Sequence, residues 1–269
     1  MLGLGNNISS SVVSASKFSN FVGSFDGTAD FVKTTNDSSI NPTAAISISV
    51  WAKPNAWDMT NSGNDDYFIG CIASGGYGVL LSNSGSQITT IKFVIKVSDS
   101  DPESGGAQAG YLTATINEAT TEALTGWNHI VATYDGETAR LYLNGGTTGV
   151  TNATGAASST IVYNDSERPV MLGADNNNST TAGQHFYHGL LDDVAVWDAV
   201  LDADAVTAVY NTGVPFDLTQ DNGNYDNSGD LQGYWKFEEG TGTEVADSST
   251  NSNTGVVGNA WSWSTDAPE

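Results

Sequence analysis

The sequence predicts an all-β protein built as a sandwich of two antiparallel sheets. Three observations lead there. Gly stands at 30 and Pro at only 6 in 269 residues, and Ser, Thr, Asn and Val outweigh the strong helix formers. Short apolar or alternating runs recur along most of the chain, separated by turn signals. One segment alone carries helical spacing, so the repeated helices of a parallel α/β sheet are missing.

The runs can be taken in order. Residues 1–20 are rich in Ser and Asn and read as a polar arm or an edge strand. Phe25, Phe31 and Val32 flank a turn at Asp26-Gly27. Residues 46–52 alternate Ile, Ser, Ile, Ser, Val, which suits a strand with one buried face. Residues 67–72 and 77–81 read as a pair joined at Gly75-Gly76, and residues 91–97 as the next strand. Residues 127–134 and 140–144 bracket Asp135-Gly136, a hairpin dipeptide, and Asn144-Gly145 is a second one. Residues 170–173, 189–197 and 231–237 complete the set. Val206, Val209 and Tyr210 follow the capping residue Asp202, which predicts a short helix over 202–210, closed by Gly213 and Pro215.

Composition narrows the partners. Eight basic against 31 acidic residues leave a formal charge of −23. Clustered cations are needed to bind phosphate backbones, so no nucleic acid is expected. No stretch reaches membrane-spanning length, so no membrane insertion is expected. Cys71 is the lone cysteine and has apolar neighbours, which points to a buried structural thiol.

Five segments carry a resemblance. Residues 24–32 (SFDGTADFV), 46–54 (ISISVWAKP), 126–136 (GWNHIVATYDG) with 140–145 (RLYLNG), 189–197 (GLLDDVAVW) and the helix ending in Tyr210 stand in one order. That series resembles the laminin-G-like jellyroll modules, relatives of pentraxins and legume-type lectins. The resemblance implies a concanavalin A-like jellyroll over 21–213. Residues 233–242 (GYWKFEEGTG) and 247–255 (DSSTNSNTG) are similar to segments that usually precede the first of these strands. Two readings are open: residues 214–269 add a strand to the same sandwich, as in a circular permutation, or they begin a truncated second module.

The resemblance also implies calcium, near the Asp26 turn and the strand carrying Asp192 and Asp193. Calcium takes six to eight oxygens, and at the place the resemblance implies the expected ligands are Asp26, Asp30 and Asp193, with Asp247 as a fourth if the tail docks. Strand alternation would turn Asp192 and Asp193 to opposite faces. For Asp26 and Asp247 the rival reading is a turn carboxylate. Residues 99–105 form a weaker calcium-loop candidate. For sugar binding, an aromatic platform beside Asp and Asn points to Trp57, Asp58, Asp175, Asn177 and Tyr187. No E-x-D-x-E strand or Gly-x-Ser-x-Gly elbow is present, and His129, inside a strand, reads as structural. The expectation is a non-enzymatic binding or display module that holds a surface glycan with calcium. The alternative is a structural virion protein that binds protein. The start MLGLGNNIS, without a signal segment, resembles phage decoration or fibre proteins. That implies a virion or extracellular surface and a possible homo-oligomer.

Overall fold

A computed structural model describes residues 18–57, 65–72, 75–83, 89–97, 110–155, 159–163, 169–176, 181–259 and 261–269. Most of the polar arm, Asp58, Asn177 and the 99–105 loop lie outside these residues.

Two antiparallel sheets face each other as a jellyroll sandwich. The first contains β1 (Val22–Asp26), β3 (Ile46–Pro54), β8 (Asn128–Tyr134), β9 (Thr138–Leu143), β11 (Ala153–Thr154), β13 (His188–Trp197), β14 (Leu231–Trp235) and β17 (Ser262–Ser264). Its order is β11-β9-β8-β3-β13-β1-β17, with β14 also paired to β13. The second contains β2 (Phe31–Lys33), β4 (Asp66–Gly70), β5 (Tyr77–Asn83), β6 (Thr89–Lys96), β7 (Tyr111–Ile116), β10 (Val150–Thr151), β12 (Met171–Leu172), β15 (Glu244–Val245) and β16 (Gly255–Gly258). Its order is β10-β7-β6-β5-β4-β12-β2-β16-β15.

Side-chain alternation fills the space between the sheets. Ile46, Ile48 and Val50 of β3 meet Val79 and Leu81 of β5 and Ile91, Phe93 and Ile95 of β6 in one core. Both hairpin dipeptides form turns. Gly136 and Gly145 take positive φ (92° and 75°), and Asn144 does so as well (50°). The Asp135 carboxylate accepts from the amides of Glu137 and Thr138 and ties the first turn down.

The helix α2 (Ala203–Tyr210) follows α1 (Glu118–Glu122), a single turn that periodicity did not reveal. Asp202 caps α2 by accepting from the amides of Asp204 and Ala205. The helix stops at Asn211, whose left-handed backbone ends it two residues before Gly213. Its buried Val206 and Val209 lie on the outer face of the first sheet, against Val131, Ala195, Trp197 and Tyr234.

The C-terminal residues enter both sheets. β14 pairs with β13, β17 with β1, and β16 with β2. Along β14 the side chains divide. Trp235 points into the main core with Phe237, and Tyr234 into the cluster under α2. Trp235 is fully buried, and its indole N–H donates to the Asn253 carbonyl at 2.8 Å. Trp235→Ala should therefore lower the unfolding free energy by about 3–5 kcal/mol in urea melts, the range for deleting a buried aromatic. Removing residues 231–269 should abolish the cooperative transition; an equally stable remainder would contradict this packing.

Candidate functional site

β13 lies at the centre of the first sheet. One edge pairs with β3 for most of its length, from Gly189↔Pro54 to Trp197↔Ser47. The other edge is shared. β1 takes residues 188–191 and β14 takes residues 194–197. Asp192 and Asp193 stand in the gap between those two partners.

The backbone changes hand there. Asp193 has φ +44°, and the register with β3 shifts between Asp192 and Ala195. Leu191 and Val194 both reach the main core, although residues three apart in a regular strand face opposite ways. The expected split of Asp192 and Asp193 onto opposite faces is thereby corrected: the bulge absorbs one residue and gathers both carboxylates away from the core.

Both acids are buried. Asp193 accepts from the Tyr234 hydroxyl and, at 3.3 Å, from the Ser19 hydroxyl. Among the described residues, neither carboxylate oxygen of Asp192 has a hydrogen-bond partner of good geometry, although the Ser19 hydroxyl and the Asp193 amide lie close enough to pull its pKa down. Burial, then repulsion from Asp193, holds the Asp192 carboxyl well above the usual range. Burial raises Asp193 to about 7, against the pull of Tyr234 and Lys236. Beside them, Glu238 receives the amides of Asn20 and Phe21 at 2.7 and 3.3 Å and fastens residues 19–21 to the C-terminal segment.

The other expected metal ligands are elsewhere. Asp26 is opposite His188, five residues from Asp193, or roughly 16 Å along a strand. Its carboxylate organises its own turn, accepting from the amides of Thr28, Ala29 and Asp30 and from the Thr28 hydroxyl. The Thr28 hydroxyl is the largest cause that lowers its pKa to about 2. Asp30 is buried; its Oδ2 accepts from the Asp26 amide, and its Oδ1 has no partner among the described residues. Asp247 closes a C-terminal turn, accepting from the amides of Tyr234, Ser249 and Asn253. Among the described residues, no three His, Cys, Asp or Glu side chains gather as a metal cluster.

Three of the expected sugar contacts serve the interior. Tyr187 is fully buried between Phe25 and Phe68, and its hydroxyl donates to the Leu190 carbonyl. Trp57 is 6% exposed and donates to the Gly126 carbonyl. Asp175 is 1% exposed; it accepts from the Ile72 amide and the Gln184 side chain. Buried in this way, they cannot offer a face to a ligand. His129 is also buried, at 2.7 Å from the Ser49 hydroxyl, and burial lowers its pKa to about 3. Burial likewise pushes the Cys71 thiol up to about 12.

An open cleft of about 300 Å³ lies instead where β1, β3 and β13 end, lined by Ser24, Lys53, Asn55, His188, Leu190 and Asp266 among others. Lys53 Nζ is 2.5 Å from Asp266 Oδ2, and the two side chains are 33% and 55% exposed. The Trp127 indole donates to the Asp266 carbonyl at 3.0 Å and pins the C-terminal residues there. Sequence reasoning passed over these residues because Lys53 and Asp266 are 213 positions apart. No local pattern joins them.

Residues 26–207 match the family Laminin_G_3, described as the concanavalin A-like lectin/glucanases superfamily. This chain belongs to that family. No curated protein has a significantly similar sequence. Among solved structures, a Bacteroides ovatus ATCC 8483 protein assigned as carbohydrate binding superposes with a TM-score of 0.61 at 16% identity. The alignment covers 93% of this chain and 61% of that one, so the chain spans about three fifths of its length. The heptameric SAP-like pentraxin of Limulus polyphemus gives 0.50 at 16% identity, covering 91% of this chain and 98% of that one. At such identities the likeness is one of fold.

The Asp26 turn yields a prediction about acid stability. Its folded pKa, about 2, lies below the value of about 3.9 expected when unfolded. The charge therefore stabilises the fold above pH 4, and that contribution fades as pH falls through 2. Asp26→Asn should lower the melting temperature at pH 7 and by much less at pH 2.5. A gap that does not narrow would contradict the assignment.

Proposed function

We propose that this laminin-G-like chain is a non-enzymatic glycan-binding module and that calcium assists it. The observation that carries the reading is the cleft at Lys53, His188 and Asp266. It places an ammonium, a carboxylate, an imidazole and the Asn55 amide around one opening, a set of donors and acceptors matched to sugar hydroxyls. Lys53 and Asp266 pair with each other at the rim but are partly exposed, so the donors and acceptors not used within the pair are open to a ligand. The carbohydrate-binding assignment of the Bacteroides ovatus protein agrees with this at the level of fold.

The reading of calcium rests on Asp192 and Asp193. Two adjacent buried carboxylates are costly when both are ionised, and a divalent cation would relieve that cost in place of the protons that burial favours. Carboxylate oxygens suit calcium, and Asp192 and Asp193 would hold it, with Glu238 close enough to raise the pKa of both. The ion supplies positive charge where β1 gives way to β14. It supports the cleft through β13 and does not touch the sugar, because His188 is five residues away.

A glycan array read with calcium and with chelator tests the binding. Against the best ligand, Lys53→Met and Asp266→Asn should each weaken affinity about tenfold, the worth of one charged hydrogen bond. If no glycan binds with calcium present while the protein associates with other proteins, the lectin reading is wrong. In thermal melts calcium should raise the melting temperature, because a ligand of the native state stabilises it. Asp192→Asn should remove that increment while leaving the calcium-free protein at least as stable.

A further inference from the structure

The sequence holds two Asn-Gly pairs, Asn144-Gly145 and Asn222-Gly223. Such a pair can modify itself, because glycine has no Cβ to keep its backbone nitrogen away from the preceding side-chain carbonyl carbon. The fold treats the two pairs differently.

Asn144 is half-buried at the end of β9, and both ends of its carboxamide are held. Its Oδ1 accepts from the His129 amide at 2.9 Å, and its Nδ2 donates to Asn128 Oδ1 at 2.7 Å. Turning that carboxamide towards the Gly145 nitrogen breaks both bonds and strands the amide of the buried His129.

Asn222 stands on an exposed turn between α2 and β14. Its backbone pairs both ways with Tyr225, at 2.8 and 3.0 Å, which puts Gly223 and Asn224 at the corner. Gly223 has φ +62°, and nothing lies within 4 Å of the place a Cβ would take. Among the described residues, nothing holds the Asn222 carboxamide or the Gly223 amide. Only the bond from the Tyr225 amide to the Asn222 carbonyl resists rotation between residues 222 and 223, and at the surface water can replace it.

The turn also bears on the interior. Tyr225 is fully buried; its hydroxyl accepts from the Trp197 indole at 3.1 Å and donates to the Leu218 carbonyl at 2.7 Å. Its ring lies edge-on to Trp197 and Phe216, and Trp197 is the last residue of β13.

We propose that Asn222-Gly223 is a self-modification site and that its product loosens the anchor of Tyr225 against Trp197. The Gly223 nitrogen loses its proton and attacks Cγ of Asn222. The new C–N bond closes a succinimide ring, and the side-chain nitrogen leaves as ammonia. Water then opens the ring at either carbonyl, giving an aspartyl or an isoaspartyl residue at position 222. The net change is amide plus water to carboxylic acid plus ammonia, so no oxidant, reductant or enzyme is needed. The isoaspartyl product carries an extra methylene in the main chain, and the two-way pairing with Tyr225 cannot keep its geometry. It also adds negative charge to a loop, residues 217–230, that holds four aspartates and no Lys or Arg.

The experiment incubates the full chain at mildly alkaline pH, where the amide nitrogen loses its proton more readily, and follows both positions by peptide mapping. Position 222 should convert at least about tenfold faster than position 144, the rate worth of the two bonds that hold Asn144. In urea that unfolds the chain, the two positions should convert at similar rates. Asn222→Gln should stop conversion at that position and melt like the parent. In the isolated isoaspartyl form, hydrogen exchange at the Tyr225 amide should speed up while the centre of β3 stays protected. Asn222→Asp adds the charge without lengthening the main chain and should exchange like the parent. Equal rates at the two positions in the native chain, a difference that survives in urea, unchanged exchange at Tyr225 in the isoaspartyl form, or the same acceleration in Asn222→Asp would each overturn the proposal.

Discussion

The structure depends on how the second edge of β13 is covered. Ten residues, His188–Trp197, run through the middle of one sheet, and β3 satisfies one side of them. No single strand covers the other side. β1 pairs as far as Leu191, and β14, from the far end of the chain, takes over at Val194. Without β14, the amides and carbonyls of residues 194–197 would be stranded beside a buried core. Trp235 and Phe237 add the apolar half of the argument: both are fully buried in the same core as β3 and β6. The residues of the C-terminal segment are therefore structural, and the proposed cleft includes one of them, Asp266.

The shared edge leaves a gap, and the gap explains the least comfortable feature of the fold. A bulge at Asp193 bridges it, at the expense of a left-handed backbone and two neighbouring buried carboxylates. Residues 19–21 close over it, held by Glu238 and by the contact of Ser19 with Asp193. Lys236 brings a positive charge near, above the ring of Tyr234, but it is already paired with Asp217. Burial and mutual repulsion thus favour the protonated carboxyls here, and the proposed cation would have to displace those protons.

Much of the fold was legible because its signals are local. The Ile-Ser alternation of 46–50, the Asp135-Gly136 and Asn144-Gly145 turns, and the Asp202 cap each depend on a few adjacent residues, and each forms as its pattern implies. The candidate sites were not legible, for two reasons. Trp57, Asp175 and Tyr187 resemble loop contacts in sequence, but their segments fold back, and each polar group is consumed by a backbone or side-chain partner. Asp192 and Asp193 defeated the alternation rule because a left-handed aspartate leaves no mark that distinguishes it from a regular strand residue. The cleft itself arises from three strand ends and the C-terminal residues, so topology alone creates it.

Native-state hydrogen exchange tests the central claim most directly, because it reports how strongly each amide is held. If β14 shares the edge of β13, the amides of Gly233 and Trp235 and those of residues 194–197 should exchange only through global unfolding, as slowly as the centre of β3. Fast exchange in β14, with β3 and β8 still protected, would contradict the account: the C-terminal segment would then be an appendage, and β13 would have to be completed in another way.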